Sequence, residues 1–323
     1  MNRLFYMPLI HPVARPVKLN FLMTLSNRFA IAVGLLCWAG IPVAAQIGMF
    51  SNEQRIDITR AWTGERFPDG RPKVPDAVLD RLKDVTAEEA WDTLGEGGYR
   101  MQFEGGWKEL NGGDRLIGRA VTCVFMPLRP DMNAVINDHA KREGRVGHGQ
   151  NSWVIDTLTK RDVMVVDLFG KINGGTIIGD NLGTSIMAKT ATGLVVDGAV
   201  RDPTGLSEIK GFHIFTRDFH PSAIADAMLM GIDVPIRIGQ ATVLPGDVVL
   251  SDRDGITFIP AQLAEKVADD SELTKYRDEW GHTMLREGKY PPGQIDARWS
   301  QKMIDEFNAW LAQKGSKVRM RQQ

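Results

Sequence analysis

The chain has 323 residues, of which 39 are Lys or Arg and 40 are Asp or Glu, so its formal net charge is −1. A charge this close to zero gives no bulk attraction for nucleic acid, and we predict no nucleic-acid partner. Hydrophobic residues make up 43% and charged residues 24%. These fractions are ordinary for a globular protein with one large or two modest domains.

The first 45 residues have the pattern of a secretory signal peptide. Arg28 precedes an apolar run at 29–41, and Val43 and Ala45 provide the small residues of a cleavage site after Ala45. The run is shorter than the roughly 20 residues of a membrane span. We therefore predict a periplasmic or secreted protein with no stable membrane anchor after cleavage. Met23 is an alternative start, since it would give a basic region of more typical length.

Two cysteines are present, and Cys37 lies inside the predicted signal. Cleavage would leave Cys123 alone, so an internal disulfide is excluded. Cys123 lies in an apolar, strand-like run at 120–128, and we predict a buried structural thiol rather than a nucleophile.

The remaining chain alternates helix-like and strand-like segments. Residues 46–74 are polar, contain Pro and Gly, and are predicted as an extended N-terminal arm. Predicted helices lie at 76–85, from 86 onward, and at 133–142, 152–158, 181–190, 203–210, 261–288 and within 295–314. Predicted strands lie at 120–128, 162–169, 193–200, 213–219, 235–243 and 247–260, the last with a hairpin turn at 252–255.

Strands that alternate with helices favour an α/β layered domain. We place this core domain at 75–288 and a helical C-terminal extension at 289–323. Trp299, Met303, Phe307 and Trp310 in the extension recur at helical spacing. We predict that this stripe packs against the body or another subunit and does not line a ligand site.

Asp180 is separated by 20 residues from the pair Arg201-Asp202, and both positions are predicted strand-to-helix turns. Taken singly, each carboxylate is typical of a helix cap, and Pro203 suits a first helical position. Arg201 alone is typical of a surface ion pair. If the two preceding strands lie side by side, however, both turns open on the same sheet edge, where α/β proteins form ligand crevices.

These turn residues have the chemistry of a combined anion and metal site. Mg²⁺ prefers oxygen ligands and keeps several waters, so one or two carboxylates suffice to hold it. The backbone amides of Asn181, Leu182 and Gly183 would point at the crevice and bind a carboxylate or phosphate. Gly179 and Gly183 would let the backbone approach a ligand closely. Together with Arg201, this arrangement suits enolate chemistry on a small 2-oxo acid.

The segment GDNLGTSIMAKTATGLVVDGAVRD (179–202) resembles the D-x20-R-D signature of the family that contains 4-hydroxy-4-methyl-2-oxoglutarate aldolases and the regulator of ribonuclease activity A. The segment ATVLPGDVVLSDRDGITFIP (241–260) resembles that family's later Pro-Gly-Asp strand pair. The likeness spans residues 75–285. It implies an α/β core with αββα layers of the swivelling-domain type, homotrimers or hexamers, and sites at subunit interfaces.

The resemblance also implies a role for each site residue. Asp202 would bind Mg²⁺ or Mn²⁺, and Asp180 would hold a water on that metal. The amides of Asn181 and Leu182 would bind the substrate carboxylate, while Arg201 would hold the keto oxygen and stabilise the enolate. Glu279 is the candidate for a family glutamate that a neighbouring subunit contributes from its C-terminal helix.

The chain departs from the family pattern at three points. Gly205 stands where the family often has an acidic residue, three positions after the Asp of the R-D pair. A longer segment at 129–151 contains His148, and an extension follows Gly288. Because these departures bear on substrate access, the resemblance leaves the exact substrate open.

The leading hypothesis is a class II, metal-dependent carbon–carbon lyase. It would cleave a 4-hydroxy-2-oxo acid to pyruvate, or decarboxylate oxaloacetate, through a pyruvate enolate. The metal and Arg201 would replace a Schiff-base lysine, although Lys189 lies near the motif. The alternative is a non-catalytic binding protein of the ribonuclease-regulator type, and a third possibility is a different chemistry on the same scaffold.

Overall fold

The computed structural model describes residues 50–113 and 115–321; the predicted signal peptide at 1–45 lies outside the described residues. The helices of the described part are α1 (Asn52–Ile58), α2 (Asp76–Leu82), α3 (Ala87–Glu96), α4 (Pro130–Arg142), α5 (Gln150–Thr157), α6 (Asp180–Thr190), α7 (Pro203–Ser207), α8 (Ala264–Arg286), α9 (Pro292–Ile295) and α10 (Gln301–Gln313). Its strands are β1 (Phe103–Glu104), β2 (Lys108–Leu110), β3 (Ile117–Pro127), β4 (Asp162–Thr176), β5 (Gly193–Val200), β6 (His213–Phe219), β7 (Ala227–Ile232), β8 (Ile236–Ile238), β9 (Ala241–Val243), β10 (Val248–Asp252) and β11 (Gly255–Ile259). Among these helices, none combines the length and the apolar character that crossing a bilayer requires.

One large mixed sheet organises the fold. Its strand order is β1-β11-β10-β3-β4-β5-β6-β2, and β7 also pairs with β3. The four strands β3 to β6 run parallel, while the remaining neighbours are antiparallel. The parallel strands are connected through α4 to α7, so their carboxyl ends share one edge. The predicted α/β class is confirmed.

The two faces of the sheet bury different residues, because successive side chains of a strand point to opposite faces. On one face, Val166 of β4 and Val196 of β5 pack in a cluster with Ile186 of α6. On the other face, Val165 of β4 packs in a cluster with Phe258 of β11 and with the β8–β9 hairpin. The parallel strands are therefore buried on both sides, which explains their nearly unbroken apolar sequences.

The first helices and α8 form a third packed region, in which α2, α3 and α8 cover β10 and the start of β3. Thr86 begins α3 with a capping box: its side chain accepts the amide hydrogen of Glu89, whose carboxylate accepts that of Thr86. The sequence prediction of a helix start at Thr86 is confirmed.

Several predicted elements differ from the structure. The single strand predicted at 235–243 is instead the hairpin of β8 and β9, because Gly239 adopts a φ of +56° and reverses the chain. The strand predicted to end at Phe169 continues to Thr176 with irregular pairing. Strand β7 was not predicted, since the sequence AMLMGI has few of the β-branched and aromatic residues that favour strands.

The segment predicted as an extended arm is folded from residue 50 onward. Ser51 and Gln54 form a capping box that starts α1. Arg55 of this helix is only 2% exposed, and its guanidinium donates to the backbone carbonyls of Phe50 and Asp233. Burial of a polar group is tolerated when it is hydrogen-bonded, so these contacts attach the segment to the core.

Arg71 anchors the same segment through a buried ion network. Its side chain is 2% exposed and lies 2.8 Å from Asp69, 3.3 Å from Asp162 and 3.8 Å from Asp233. Burial raises the pKa of Asp233 to about 6, although Arg71 and Arg55 oppose the rise. The network therefore depends on the guanidinium, since two of its carboxylates have almost no access to water.

The C-terminal extension packs through its aromatic residues. The rings of Trp280 and Trp299 are 4.8 Å apart between centroids, and Phe307 contacts both. Trp310 stacks on Phe307 at 5.9 Å. These contacts join α10 to α8, so the prediction that the aromatic stripe packs against the body is confirmed, whereas Trp299 also lines a cavity.

Replacing Arg71 by Ala should destabilise the protein by about 3–5 kcal/mol, because Asp162 and Asp233 would lose the buried guanidinium that compensates their charge. Urea denaturation at pH 7 measures the change in the free energy of unfolding. Arg60→Ala is the matched control, since Arg60 forms an exposed ion pair with Asp57 and the loss of such a pair should have no measurable effect. Equal effects of the two substitutions would show that the network does not anchor the segment.

Asp247 gives a second prediction, on pH. Burial raises the pKa of this carboxyl to about 7 from 3.8, although the amides of Leu244 and Ala261 donate to it. Because the folded-state pKa is the higher one, protonated Asp247 contributes stability that is lost as the pH rises from about 4 through about 7. Urea denaturation across that range measures the free energy of unfolding of wild type and of Asp247→Asn. As the pH rises, the wild-type value should fall relative to that of Asp247→Asn. A difference independent of pH would contradict this.

Candidate functional site

The two predicted site turns lie side by side at the carboxyl edge of the parallel strands. Strands β4 and β5 are adjacent and parallel. Beyond their ends, the amide of Ile177 donates to the carbonyl of Ala199 at 2.9 Å, and the amide of Arg201 donates to that of Ile178 at 3.0 Å. The turn before α6 and the turn after β5 are therefore joined by hydrogen bonds, as the site hypothesis requires.

The side chain of Arg201 lies next to Gly179. A Cβ atom at position 179 would be 3.3 Å from Cγ of Arg201 and 3.4 Å from its Nε, so any larger residue would press on this side chain. Arg201 is exposed, and within the described part of the chain its guanidinium has no hydrogen bond or ion pair. This cation is free to bind an anionic ligand.

The side chains of Asp180 and Asp202 both lie next to Gly205. Asp202 is the N-cap of α7, with φ 57° and ψ 54°, and its Oδ1 accepts the Gly205 amide hydrogen at 3.3 Å. A Cβ atom on Gly205 would be 2.8 Å from Oδ2 of Asp202 and 2.9 Å from Cβ of Asp180. The missing side chain at 205 therefore lets the two acidic residues approach each other.

The start of α6 offers unused amides beside these side chains. Gly179, not Asp180, is the N-cap, and it provides no side-chain hydrogen bond to the helix. Asp180 is the first helical residue, so the cap alternative does not hold for it. The amides of Asn181 and Leu182 lie in the first turn, where a helix provides no internal acceptor. They remain the predicted donors to an anion.

Gly183 requires a correction. Its amide already donates to the carbonyl of Gly179 at 2.9 Å, so it is not free for a ligand. Gly183 is buried, and a Cβ atom there would be 2.6 Å from Cδ2 of Leu206 and 3.0 Å from Phe212. The glycine therefore allows α6 to pack closely on α7 instead of opening the backbone to substrate.

Other predicted or considered residues lie elsewhere in the chain. Glu279 of α8 forms an ion pair with Lys314 of the extension, so within one chain its carboxylate is engaged there. Lys189 is at the far end of α6, roughly 13 Å of helix from Asp180, and donates to the Asp156 carbonyl. This position does not suit a Schiff-base lysine of the site. His148 is exposed in the loop before α5.

His220 belongs to the same sheet edge, although it was not among the predicted site residues. It follows β6, and its amide donates to the carbonyl of Val200 at 3.1 Å, directly before Arg201. Its Nδ1 lies 2.9 Å from the Ser222 hydroxyl. The signal that could have identified His220 is its place at the carboxyl end of a third parallel strand.

The donor set suits one kind of metal. Within residues 50–113 and 115–321, no group of three or more His, Cys, Asp or Glu side chains is arranged to hold an ion. Asp202 is exposed, Asp180 is half-buried, and neither carboxylate forms an ion pair in this range. Two carboxylates with open access to water fit Mg²⁺ or Mn²⁺, whose shells retain waters. They do not fit zinc, which prefers His and Cys ligands.

Substituting Gly183 by Ala should destabilise the protein by about 1–3 kcal/mol, because the added methyl group overpacks the contact with Leu206. Thermal and urea unfolding measure the change. Gly95→Ala in α3 is the control: a Cβ there meets nothing within 4 Å, and the change should be neutral or slightly stabilising. A neutral result at Gly183 would argue against its packing role.

Comparison with known proteins places this site in a family. The RraA-like family, described as Aldolase/RraA, matches residues 78–258. A 4-hydroxy-4-methyl-2-oxoglutarate aldolase of Thermus thermophilus is 33% identical over 155 residues, which cover 48% of this chain and 81% of that protein. A Halalkalibacterium halodurans protein, provisionally named as the same aldolase, is 33% identical over 168 residues, covering 49% of this chain and 75% of its own.

A solved structure agrees with the sequence matches. Streptomyces coelicolor RraAS2, described as an unusual member of the RNase ES inhibitor RraA protein family, superposes with a TM-score of 0.55 and 26% identity, over 66% of this chain and 98% of its own. The matched family range contains strands β3 to β6 and both site turns. The chain therefore belongs to the RraA-like (Aldolase/RraA) family, which includes both aldolases and ribonuclease inhibitors.

Proposed function

We propose that this protein is a divalent-metal-dependent carbon–carbon lyase. It would cleave a 4-hydroxy-2-oxo acid to pyruvate, or decarboxylate oxaloacetate, through a pyruvate enolate. One observation carries the proposal: Asp180, Arg201 and Asp202 converge at the edge of the sheet around Gly179 and Gly205. The two relatives that are named as aldolases support the same reaction class.

Substrate binding follows from the charges at this edge. The amides of Asn181 and Leu182 would donate to the C1 carboxylate, since a helix N-terminus favours an anion. Arg201 would donate to the keto oxygen at C2. Because its guanidinium has no competing partner among the described residues, no ion pair must break when the substrate binds.

Asp202, with Asp180 acting through water, would hold Mg²⁺ or Mn²⁺. When bound, the metal supplies Lewis-acid polarisation of the 2-oxo acid. In the retro-aldol reaction, the C3–C4 bond breaks as the 4-hydroxyl loses its proton, and the electron pair moves to the C2 oxygen. Arg201 stabilises the negative charge that develops there. Protonation at C3 then gives pyruvate, and C4 leaves as the second carbonyl compound.

Asp180 and His220 are the groups that could move protons at this edge. Asp180 would orient a water that accepts the 4-hydroxyl proton, because its carboxylate carries no ion pair in the described chain. His220 stands beside Arg201 through the backbone contact of its amide with Val200. Its Nδ1 lies 2.9 Å from the Ser222 hydroxyl, and we propose His220 as the group that would return a proton to C3.

Oligomeric state and location belong to the same proposal. A homotrimer or hexamer is supported by exposed apolar residues, namely Met126 and Leu128 at the carboxyl end of β3, Val135 in α4 and Phe169 within β4. Such an assembly would allow Glu279 of a neighbouring subunit to complete the site. We also propose that the core has αββα layers. The predicted signal peptide at residues 1–45 would direct export of the protein to the periplasm or out of the cell.

The alternative function is non-catalytic regulation of a ribonuclease, and the likeness to RraAS2 supports it. The two functions differ in what the turn residues do. An enzyme that forms an enolate would need an arginine without an ion pair, such as Arg201, to stabilise the negative charge. A ribonuclease regulator would not need such a group. Pyruvate release by the purified protein separates them, because binding to a ribonuclease requires no such product.

Substituting Arg201 or Asp202 by Ala should lower pyruvate release by a factor of about 10²–10³, because each removes a group that stabilises developing charge. Purified full-length protein is assayed with Mg²⁺, several 4-hydroxy-2-oxo acids and oxaloacetate, with pyruvate detected enzymatically. Arg253→Ala is the matched control, since this exposed arginine lies in the β10–β11 turn and should not change activity. Wild-type protein that releases no pyruvate from any of these acids would overturn the lyase proposal.

The space above Gly205 gives a second test. Gly205→Ala should weaken Mn²⁺ binding roughly ten- to hundredfold, because the methyl group would displace the Asp202 carboxylate from Asp180. Electron paramagnetic resonance of free Mn²⁺ measures the affinity, and circular dichroism checks the fold. Gly293→Ala in α9 is the control, since a Cβ there meets nothing within 4 Å. Unchanged Mn²⁺ affinity in Gly205→Ala would remove Asp202 from the metal site.

A further inference from the structure

A cavity with both arginine and apolar lining residues lies in the C-terminal part of the chain, outside the range that the family matches. Its volume is about 360 Å³, and its lining includes Arg277, Arg298 and Arg321. Among the described lining residues Asp296 is the one acidic side chain, so this wall carries an excess of positive charge. A cavity of this size lies within the range of small-molecule sites.

The arginines of this cavity lack the partners that arginines usually have. Within the described residues, none of the three guanidinium groups forms a hydrogen bond or ion pair. The Nε atom of Arg277 is fully buried and has no acceptor in the part of the chain that the structure describes. A buried N–H donor without an acceptor costs free energy, so an acceptor that enters the cavity would relieve this cost.

Part of the wall is apolar. Trp299, Ile304 and Met320 line the cavity. Trp299 is 4% exposed and is held between Trp280 and Phe307. The Cζ atom of Arg277 lies 5.0 Å from the centroid of the Trp299 ring, a cation–π contact between two residues of the cavity wall.

We propose that this cavity binds a small organic anion, with its oxyanion head on the arginines and its apolar body against the wall formed by Trp299, Ile304 and Met320. The planar guanidinium group matches a carboxylate or phosphate in geometry and charge. The apolar wall favours an anion that carries a hydrocarbon or aromatic body over an inorganic ion. The proposal stands apart from the lyase site, because none of its residues belongs to the two turns.

The test uses the full chain and benzoate as the probe, followed by isothermal titration calorimetry. Benzoate should bind about tenfold more tightly than benzamide, which has the same ring and no charge. Inorganic phosphate should compete with benzoate but bind more weakly, because it lacks the apolar body. Equal affinity for benzoate and benzamide, or no binding of benzoate, would overturn the proposal.

Variants assign the binding to this cavity. Arg298→Gln should weaken benzoate binding about tenfold, and Arg298 is exposed, so the change should leave the fold intact. Arg277→Gln should weaken it further. The control is Arg286→Gln, since Arg286 is exposed on the same helix as Arg277 and donates to the His282 carbonyl. Benzoate affinity that is equal in Arg298→Gln and wild type would place the binding elsewhere and refute the assignment.

Discussion

The site depends on the parallel pairing of β4 with β5. Once these strands are adjacent, the turns that follow them must share one edge, and the hydrogen bonds from Ile177 to Ala199 and from Arg201 to Ile178 fix their separation. Burial of both strand faces holds the pair in register, because a slip by one residue would exchange the faces of every side chain. The positions of Asp180, Arg201 and Asp202 are consequences of this pairing.

Much of the parallel core could be predicted from sequence. Strands β5 and β6 have the bounds that their apolar runs indicate, since strands buried on both faces give a clear and unbroken pattern. The failures lie where backbone geometry or tertiary pairing decides. The turn at Gly239 divides a predicted strand into β8 and β9, and β7 is a strand because β3 lies beside it, not because of its own sequence.

The candidate site was predictable as a set of residues but not in the roles of its glycines. Spacing and turn chemistry identified Asp180, Arg201 and Asp202. Only the structure shows that Gly205 provides the space between the two acidic residues, and that Gly183 belongs to the contact between α6 and α7. Close approach between distant segments leaves no local signal in one sequence, because a glycine looks the same in either role.

The central claim is that the two turns bind a divalent cation and a 2-oxo acid together. A crystal of the full-length protein soaked with Mn²⁺ and pyruvate tests it most directly, since Mn²⁺ gives an anomalous signal. The account predicts a peak beside Asp202, with the pyruvate carboxylate on the amides of Asn181 and Leu182 and the keto oxygen at Arg201. Density for either ligand only at other surfaces, with Arg201 and Asp202 free, would contradict it.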